Sequence, residues 1–200
     1  MSQVSPNSSE SLTLRVRWLL GAAALLGAGA ASSADFSVGI GAGTDRGRVD
    51  CVASFPCDRS SAHWKLFGGY QLSRTLQVQA VWFDAGHFKG GDTTPLGTEF
   101  GGTFKVSGFG LTGGYLWDIT PTWSLAGRAG LAAVRTRFDY TNTAFGSASK
   151  TTAQPLLGLG LGYAITPSVR LSLDYDVTRF KVHTTRGPLQ MLGVAVQYSF

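Results

Sequence analysis

Apolar residues recur at every second position through most of this chain. From Leu157 to Ile165 the odd positions are Leu157, Leu159, Leu161, Tyr163 and Ile165, and the even ones are glycine or alanine. Val169, Leu171, Leu173, Tyr175 and Val177 repeat the pattern, and Leu192, Val194, Val196, Tyr198 and Phe200 carry it to the last residue. A period of two is the signature of a β-strand with one apolar face. Pairs of such rows flank three turn signals: "SRT" around Arg74, "DITPT" around Pro121 and "TPS" around Pro167. With a first row at Phe36, Val38, Ile40 and Ala42, the pattern predicts about eight strands of roughly ten residues. The stretches that join the hairpins, approximately 43–62, 85–103, 138–153 and 180–188, are richer in Gly, Thr, Ser, Asp and Arg and are expected to be long loops. Tight turns at one end and long loops at the other are the asymmetry of an outer-membrane barrel.

Alternation does not say which solvent the apolar row faces, since a soluble barrel turns that face inward. Aromatic residues settle the direction. Phe36, Tyr70, Tyr115, Trp117, Trp123, Tyr163, Tyr198 and Phe200 cluster beside the tight turns. Such rings suit a bilayer interface, with the apolar body in lipid and the polar tip in water. The opposite row is small, as in Gly158, Gly160 and Gly162, which suits a narrow lumen. An open edge in hydrocarbon would strand backbone N–H and C=O groups at several kcal/mol each, so the last strand is expected to close on the first. The expectation is an all-β, eight-stranded antiparallel up-and-down transmembrane barrel.

Composition adds a leader and a redox compartment. Arg15 and Arg17 precede the apolar stretch Trp18 to Ala31, and Ser32 and Ala34 are small. This is the layout of a secretory signal peptide cleaved after Ala34, preferred here over a buried helix or retained anchor. Residues 1–34 are thus read as leader and 35–200 as the barrel domain. Losing Arg15, Arg17 and Glu10 from 17 bases and 12 acids leaves 15 and 11, a net charge of +4. Export permits disulfides, and Cys51 and Cys57 stand six apart. A disulfide is favoured over free thiols or a metal site, for which only His63 lies close by.

The stretches "HWKLFGGYQL", "LGLGLGYAITPSVRLSLDYD" and "LGVAVQYSF" resemble strands of the OmpA-like transmembrane domain family. The resemblance spans most of residues 35–200, while the loops match nothing. It implies residence in the bacterial outer membrane and no cofactor. It also implies that Tyr198 and Phe200 form the signal read by the barrel-assembly machinery. Full-length members carry a further peptidoglycan-binding domain, which this sequence is expected to lack because it stops at the barrel.

Parity places Lys65, Gln71, Gln77, Gln79, Arg128, Arg170, Asp174 and Asp176 inside. The resemblance implies an internal ionic network among Lys65, Arg128, Arg170, Asp174 and Asp176, centred on Arg128 with Asp174. Such a network plugs the lumen or gates a small pore, and eight strands leave room for little beyond side chains. At the outer end stand Arg46, Arg48, Arg59, Arg135, Arg137, Arg179, Lys181 and Arg186, together with Lys89, Lys105 and Lys150. Acids such as Asp45 and Asp139 share this rim. A basic rim suits the phosphates of lipopolysaccharide. Nucleic acid is excluded by export. Lipid A deacylases use a His and a Ser near the outer leaflet. Here "FKVHTTRG" sets His183 beside threonines, without a clear acid partner, so no catalytic or metal residue is assigned. His63 and His87 are read as solvated loop residues. The expected function is a non-enzymatic barrel for envelope integrity and surface interaction, with host or surface ligands met through the loops. The alternatives are a narrow porin-like channel and, further behind, a lipid A-modifying enzyme.

Overall fold

The computed structural model describes residues 36–47, 58–93, 99–140, 147–182 and 185–200. The proposed leader, Cys51, Cys57, Arg48 and His183 lie outside the described residues. Eight strands follow in order: β1 (Phe36–Gly47), β2 (Ser60–Gln71), β3 (Leu76–Thr93), β4 (Glu99–Asp118), β5 (Trp123–Tyr140), β6 (Ser147–Ala164), β7 (Val169–Val182) and β8 (Thr185–Ser199). Each pairs with its neighbours in a closed barrel. Closure runs antiparallel from Ser37↔Ser199 to Gly47↔Leu189. The Phe200 N–H then donates to the Phe36 carbonyl at 3.1 Å, so the backbone is engaged to its final residue.

The three tight turns share one device. Ser73, Thr120 and Thr166 each use a side-chain hydroxyl to accept the backbone N–H that opens the next strand, at Leu76, Trp123 and Val169. Hydroxyl side chains that bond to nearby backbone favour turns over extended pairing. The turn is sealed by an N–H of the incoming strand, as from Ile119 to the Trp123 carbonyl at 2.9 Å.

In the lower two-thirds the rows face as the pattern requires. Ile40, Leu66, Leu111, Leu125, Leu159, Leu173 and Val194 are exposed on the outer wall. The aromatic girdle closes its lower rim, with Trp123 and Tyr163 rings 5.0 Å apart and Tyr198 and Phe200 rings 5.0 Å apart. A second aromatic level stands at the outer end of this belt, where the Trp64 and Trp82 rings pack at 4.4 Å.

The expected loops are corrected. β3, β5 and β6 are 18 residues long and β4 is 20, so most of residues 85–103 and 138–153 is strand rather than loop. The reason is an exchange of faces. On β5, Leu131 and Ala133 point outward, and the next outward residues are Arg135 and Arg137. Over the same span the inward residues become Ala132, Val134 and Phe138. With Phe83, Phe88, Phe104, Val106, Phe180 and Leu189 they form an apolar core inside the barrel's outer end. The period of two continues with solvent and core swapped, so polar residues here mark a water-facing wall, not a chain break.

A bulge between Asp84 and His87 keeps β3 in phase with that core. Gly86 takes φ +64°, and its N–H bonds to Asp84 Oδ1 at 2.9 Å. The extra residue puts Phe88 inside and His87 outside.

Candidate functional site

Two layers of opposite chemistry stand inside the lumen. The lower one is ionic. Lys65 from β2 places Nζ 2.6 Å from Asp176 Oδ2 and 3.1 Å from Asp174 Oδ2, both on β7. Arg128 from β5 places one guanidinium nitrogen 3.1 Å from Asp174 Oδ1 and 3.0 Å from Asp176 Oδ1. The Ser172 hydroxyl donates to Asp174 Oδ2 at 3.1 Å. Both cations touch both carboxylates, so the cluster is formally neutral and each ion is paired, the condition under which buried ions are tolerated. The glycine run of β6 makes room for it. A Cβ on Gly158 would lie 2.2 Å from Asp176 Oδ1, and one on Gly160 would lie 2.6 Å from Asp174 Oδ1.

Arg170 does not join this cluster. It lies one level lower on β7, where its side-chain carbons face Gly162, and it makes no ion pair among the described residues. Parity gives its inward face correctly, while the network membership implied by the resemblance is corrected because Arg170 stands too low on β7 to reach the carboxylates.

Directly above the ionic layer stand Val81, Phe83, Leu156 and Met191. Together with Lys65, Arg128 and Asp176 they line a cavity of about 10 Å³, room for about one water. The aromatic core continues upward from there.

His63 and Asp45 correct a second expectation. The sequence reads His63 as a solvated loop residue and Asp45 as part of the outer rim, yet His63 is buried and Asp45 has no exposed surface. His63 Nδ1 contacts Asp45 Oδ1 inside the barrel, and Asp45 Oδ2 has no hydrogen-bond partner among the described residues. The signal was available, because His63 shares parity with Lys65. No hydroxyl or thiol bonds to His63 among the described residues, and the Ser61 hydroxyl is engaged by the His87 N–H at 2.9 Å. No group of potential metal ligands occurs among them either.

The bases of the outer end form a collar. Arg46, Arg59, Arg135, Arg137, Arg179 and Lys181 are all exposed. Arg186 faces Lys181 across the β7–β8 ladder, its side chain lying outside the described set. Arg137 Nε is 2.8 Å from Asp139 Oδ1, and Lys105 Nζ is 3.5 Å from Asp139 Oδ2. These hydrogen bonds and charges, Arg137's first, hold the Asp139 carboxyl below the usual carboxylate range. Arg46, Arg59, Arg135, Arg179 and Lys181 make no ion pair among the described residues.

An apolar outer belt between two aromatic levels, ion pairs inside the lumen and a charged collar define an eight-stranded barrel of the bacterial outer membrane. The chain belongs to the OmpA-like transmembrane domain family, whose model matches residues 31–200. It is 30% identical over 138 residues to outer membrane protein A of Escherichia coli O157:H7, covering 67% of this chain and 38% of that protein. The chain thus spans well under half the length of that relative. Its fold is similar to Neisserial surface protein A (17% identity, TM-score 0.62, 85% of this chain and 100% of that one). It is also similar to OprG of Pseudomonas aeruginosa (14%, 0.55, 82% and 97%). A third likeness is to Ail, the attachment invasion locus protein of Yersinia pestis (18%, 0.52, 84% and 100%).

Proposed function

We propose that this protein is a non-enzymatic surface barrel that serves envelope integrity and surface interaction, with its basic collar against the phosphate groups of lipopolysaccharide and its loops available to host or other surface ligands. The observation that carries this reading is the change of the outward row from hydrocarbon-facing to basic. On β5 it passes from Leu131 and Ala133 to Arg135 and Arg137. On β7 it passes from Leu173 and Tyr175 to Arg179 and Lys181. Bases that begin where the apolar belt ends stand at the headgroup level, where charge-assisted hydrogen bonds to phosphate are short and strong.

Two further facts support it. The ion pairs of Lys65 and Arg128 with Asp174 and Asp176 and the apolar residues Val81, Phe83, Leu156 and Met191 stand around a cavity of only about 10 Å³, which supports a filled interior. His63, the buried imidazole, has a carboxylate partner and, among the described residues, no bonded nucleophile. Tyr198 and Phe200 lie exposed at the seam of closure, consistent with a role as the assembly signal.

The test is retention of lipid A by the barrel extracted in non-ionic detergent. Replacing Arg46, Arg59, Arg135, Arg137, Arg179 and Lys181 by Gln together is expected to strip most of the retained lipid A phosphorus. Unchanged retention overturns the reading.

A further inference from the structure

The strand ladder is not equally tall all round the barrel. β5 stays paired with β6 up to Asp139↔Ser147, and β7 stays paired with β8 up to Val182↔Thr185. Between β6 and β7 the pairing stops at Leu157↔Val177. Above that level the two strand pairs part.

Pro155 stands at the parting. In an antiparallel ladder the N–H and C=O of one residue point to the same neighbour. The Pro155 carbonyl accepts the Thr178 hydroxyl of β7 at 2.9 Å. The side of Pro155 that faces β7 is therefore the side on which proline has no N–H. The ladder loses a donor there, and its acceptor is taken by a side chain. A cavity of about 460 Å³ opens at this place, lined by Gln154, Arg179, Phe180, Lys181, Gly187 and Pro188. Arg179 and Lys181 have no acidic partner among the described residues, unlike Arg137, which shares Asp139.

A second hollow lies below it along β6 and β7. A groove of about 820 Å³ lies on the lipid-facing wall, and Leu157 and Val177 are among its lining residues. Its floor includes Gly113 and Gly127, where an added Cβ would meet nothing within 4 Å. Tyr115, Leu159 and Tyr175 stand beside it. The groove faces hydrocarbon, and the gap above it is basic.

We infer that gap and groove form one site for a single phosphorylated lipid of the outer leaflet. The phosphate sits at Arg179 and Lys181, and an acyl chain runs down past Leu157 and Tyr175 toward Gly127. Charge and polarity both change at the Leu157–Val177 level, where the headgroup of such a lipid joins its tail. The inference rests on the collar reading and narrows it from a ring of bases to one strand gap.

The test uses the barrel extracted from membranes in non-ionic detergent and titrated with lipid A under native mass spectrometry, with inorganic phosphate as a parallel probe. The unaltered protein is expected to hold one lipid A tightly, and inorganic phosphate is expected not to displace it. Arg179→Gln with Lys181→Gln is expected to raise the dissociation constant about tenfold or more, because charged hydrogen bonds are lost. Gly127→Leu, which fills open space, is expected to weaken binding several-fold while leaving the melting temperature within a few degrees of the parent. Arg135→Gln with Arg137→Gln is expected to leave the tight site intact. If that control pair loses lipid A while the Arg179/Lys181 pair retains it, the gap is not the site and the collar reading survives. If neither pair loses it, the gap is not the site, and the collar reading falls with it when the six-fold variant also keeps its lipid A. Full displacement by inorganic phosphate, or a Gly127→Leu variant that binds like the parent, overturns the acyl-chain half of the site.

Discussion

Lys65 and Asp176 meet at 2.6 Å in the lumen although 111 positions separate them in the chain. The contact is possible only because β1 closes on β8 and so brings β2 and β7 within reach of a common axis. Glycine on β6 then leaves space for the carboxylate beside Arg128. Closure, small residues and ion pairing are one arrangement, in which each part fails without the others.

This makes the cost of single changes large and that of matched changes smaller. Asp176→Asn leaves two cations facing one carboxylate, and an uncompensated buried charge costs about 3–5 kcal/mol. Lys65→Met does the converse and is expected to cost a similar amount. The double variant keeps the Arg128–Asp174 pair and restores neutrality, so it is expected to be more stable than either single variant. Urea unfolding of the detergent-solubilised barrel measures all three. A double variant that equals the sum of the singles would show that the groups act independently.

The apolar layer above the ions is expected to set any conductance. Asp174→Asn disturbs the ionic cluster but leaves Phe83, Leu156 and Met191 over it. It is expected to lower the melting temperature without opening a current in planar bilayers. Phe83→Ala removes a side chain with 1% exposure, at about 3–5 kcal/mol for loss of a buried ring. Only the combination with Asp174→Asn is expected to raise the open-state leak. A steady conductance in Asp174→Asn alone would assign the seal to the ions.

The fold was legible because the period of two is a property of the backbone, and lipid-facing rows such as Leu157 to Ile165 leave no other reading. The height of the barrel was hidden by the same rule. At Arg135 and Phe138 the alternation persists but its faces trade solvents, and polar outward residues looked like loop. Lys65, Arg128, Asp174 and Asp176 could be placed inward by parity. Their separation from Arg170 could not, because height depends on strand stagger, which sequence parity does not encode. His63 and Asp45 show the cost of assigning a residue by its polar neighbours instead of its phase. The parting at Pro155 depends on which neighbour that residue's carbonyl faces, which parity does not encode either.

Gly86 and Gly113 offer a contrast on the same barrel. Gly86 has φ +64°, and a Cβ there would lie 2.4 Å from Ser61 Oγ and 2.5 Å from the Ala62 carbonyl oxygen. Gly86→Ala combines a left-handed backbone with a backbone clash and is expected to cost about 1–3 kcal/mol. It would also loosen the bulge that keeps Phe88 inside. Gly113 has open space at the same position. Gly113→Ala is expected to be neutral or to stabilise by about 0.4–1 kcal/mol through the unfolded chain. Thermal unfolding in detergent ranks the two. Equal losses would mean that the bulge geometry carries no special constraint.

Acid sensitivity has a local source at the collar. Asp139 stands above the lipid-facing belt, held by Arg137 and Lys105, and its carboxyl is shifted below the ordinary range chiefly by the Arg137 hydrogen bond. In the unfolded chain an aspartate titrates near ~3.9. A carboxyl with a depressed folded value contributes stability that is fully present above that point and is lost as pH falls through the folded value. Asp139→Asn removes the contribution, so the parent and variant melting temperatures are expected to differ at neutral pH and to converge as pH falls through the depressed folded value. Carboxyl-carbon NMR is expected to place Asp139 below ~3.9 at low salt and to move it upward in about 1 M salt, since exposed pairs are screened. The contribution is small, because the pair is open to water, but its sign is fixed. A parent that gains stability relative to Asp139→Asn on acidification would show that the Arg137–Asp139 contact does not hold the collar together.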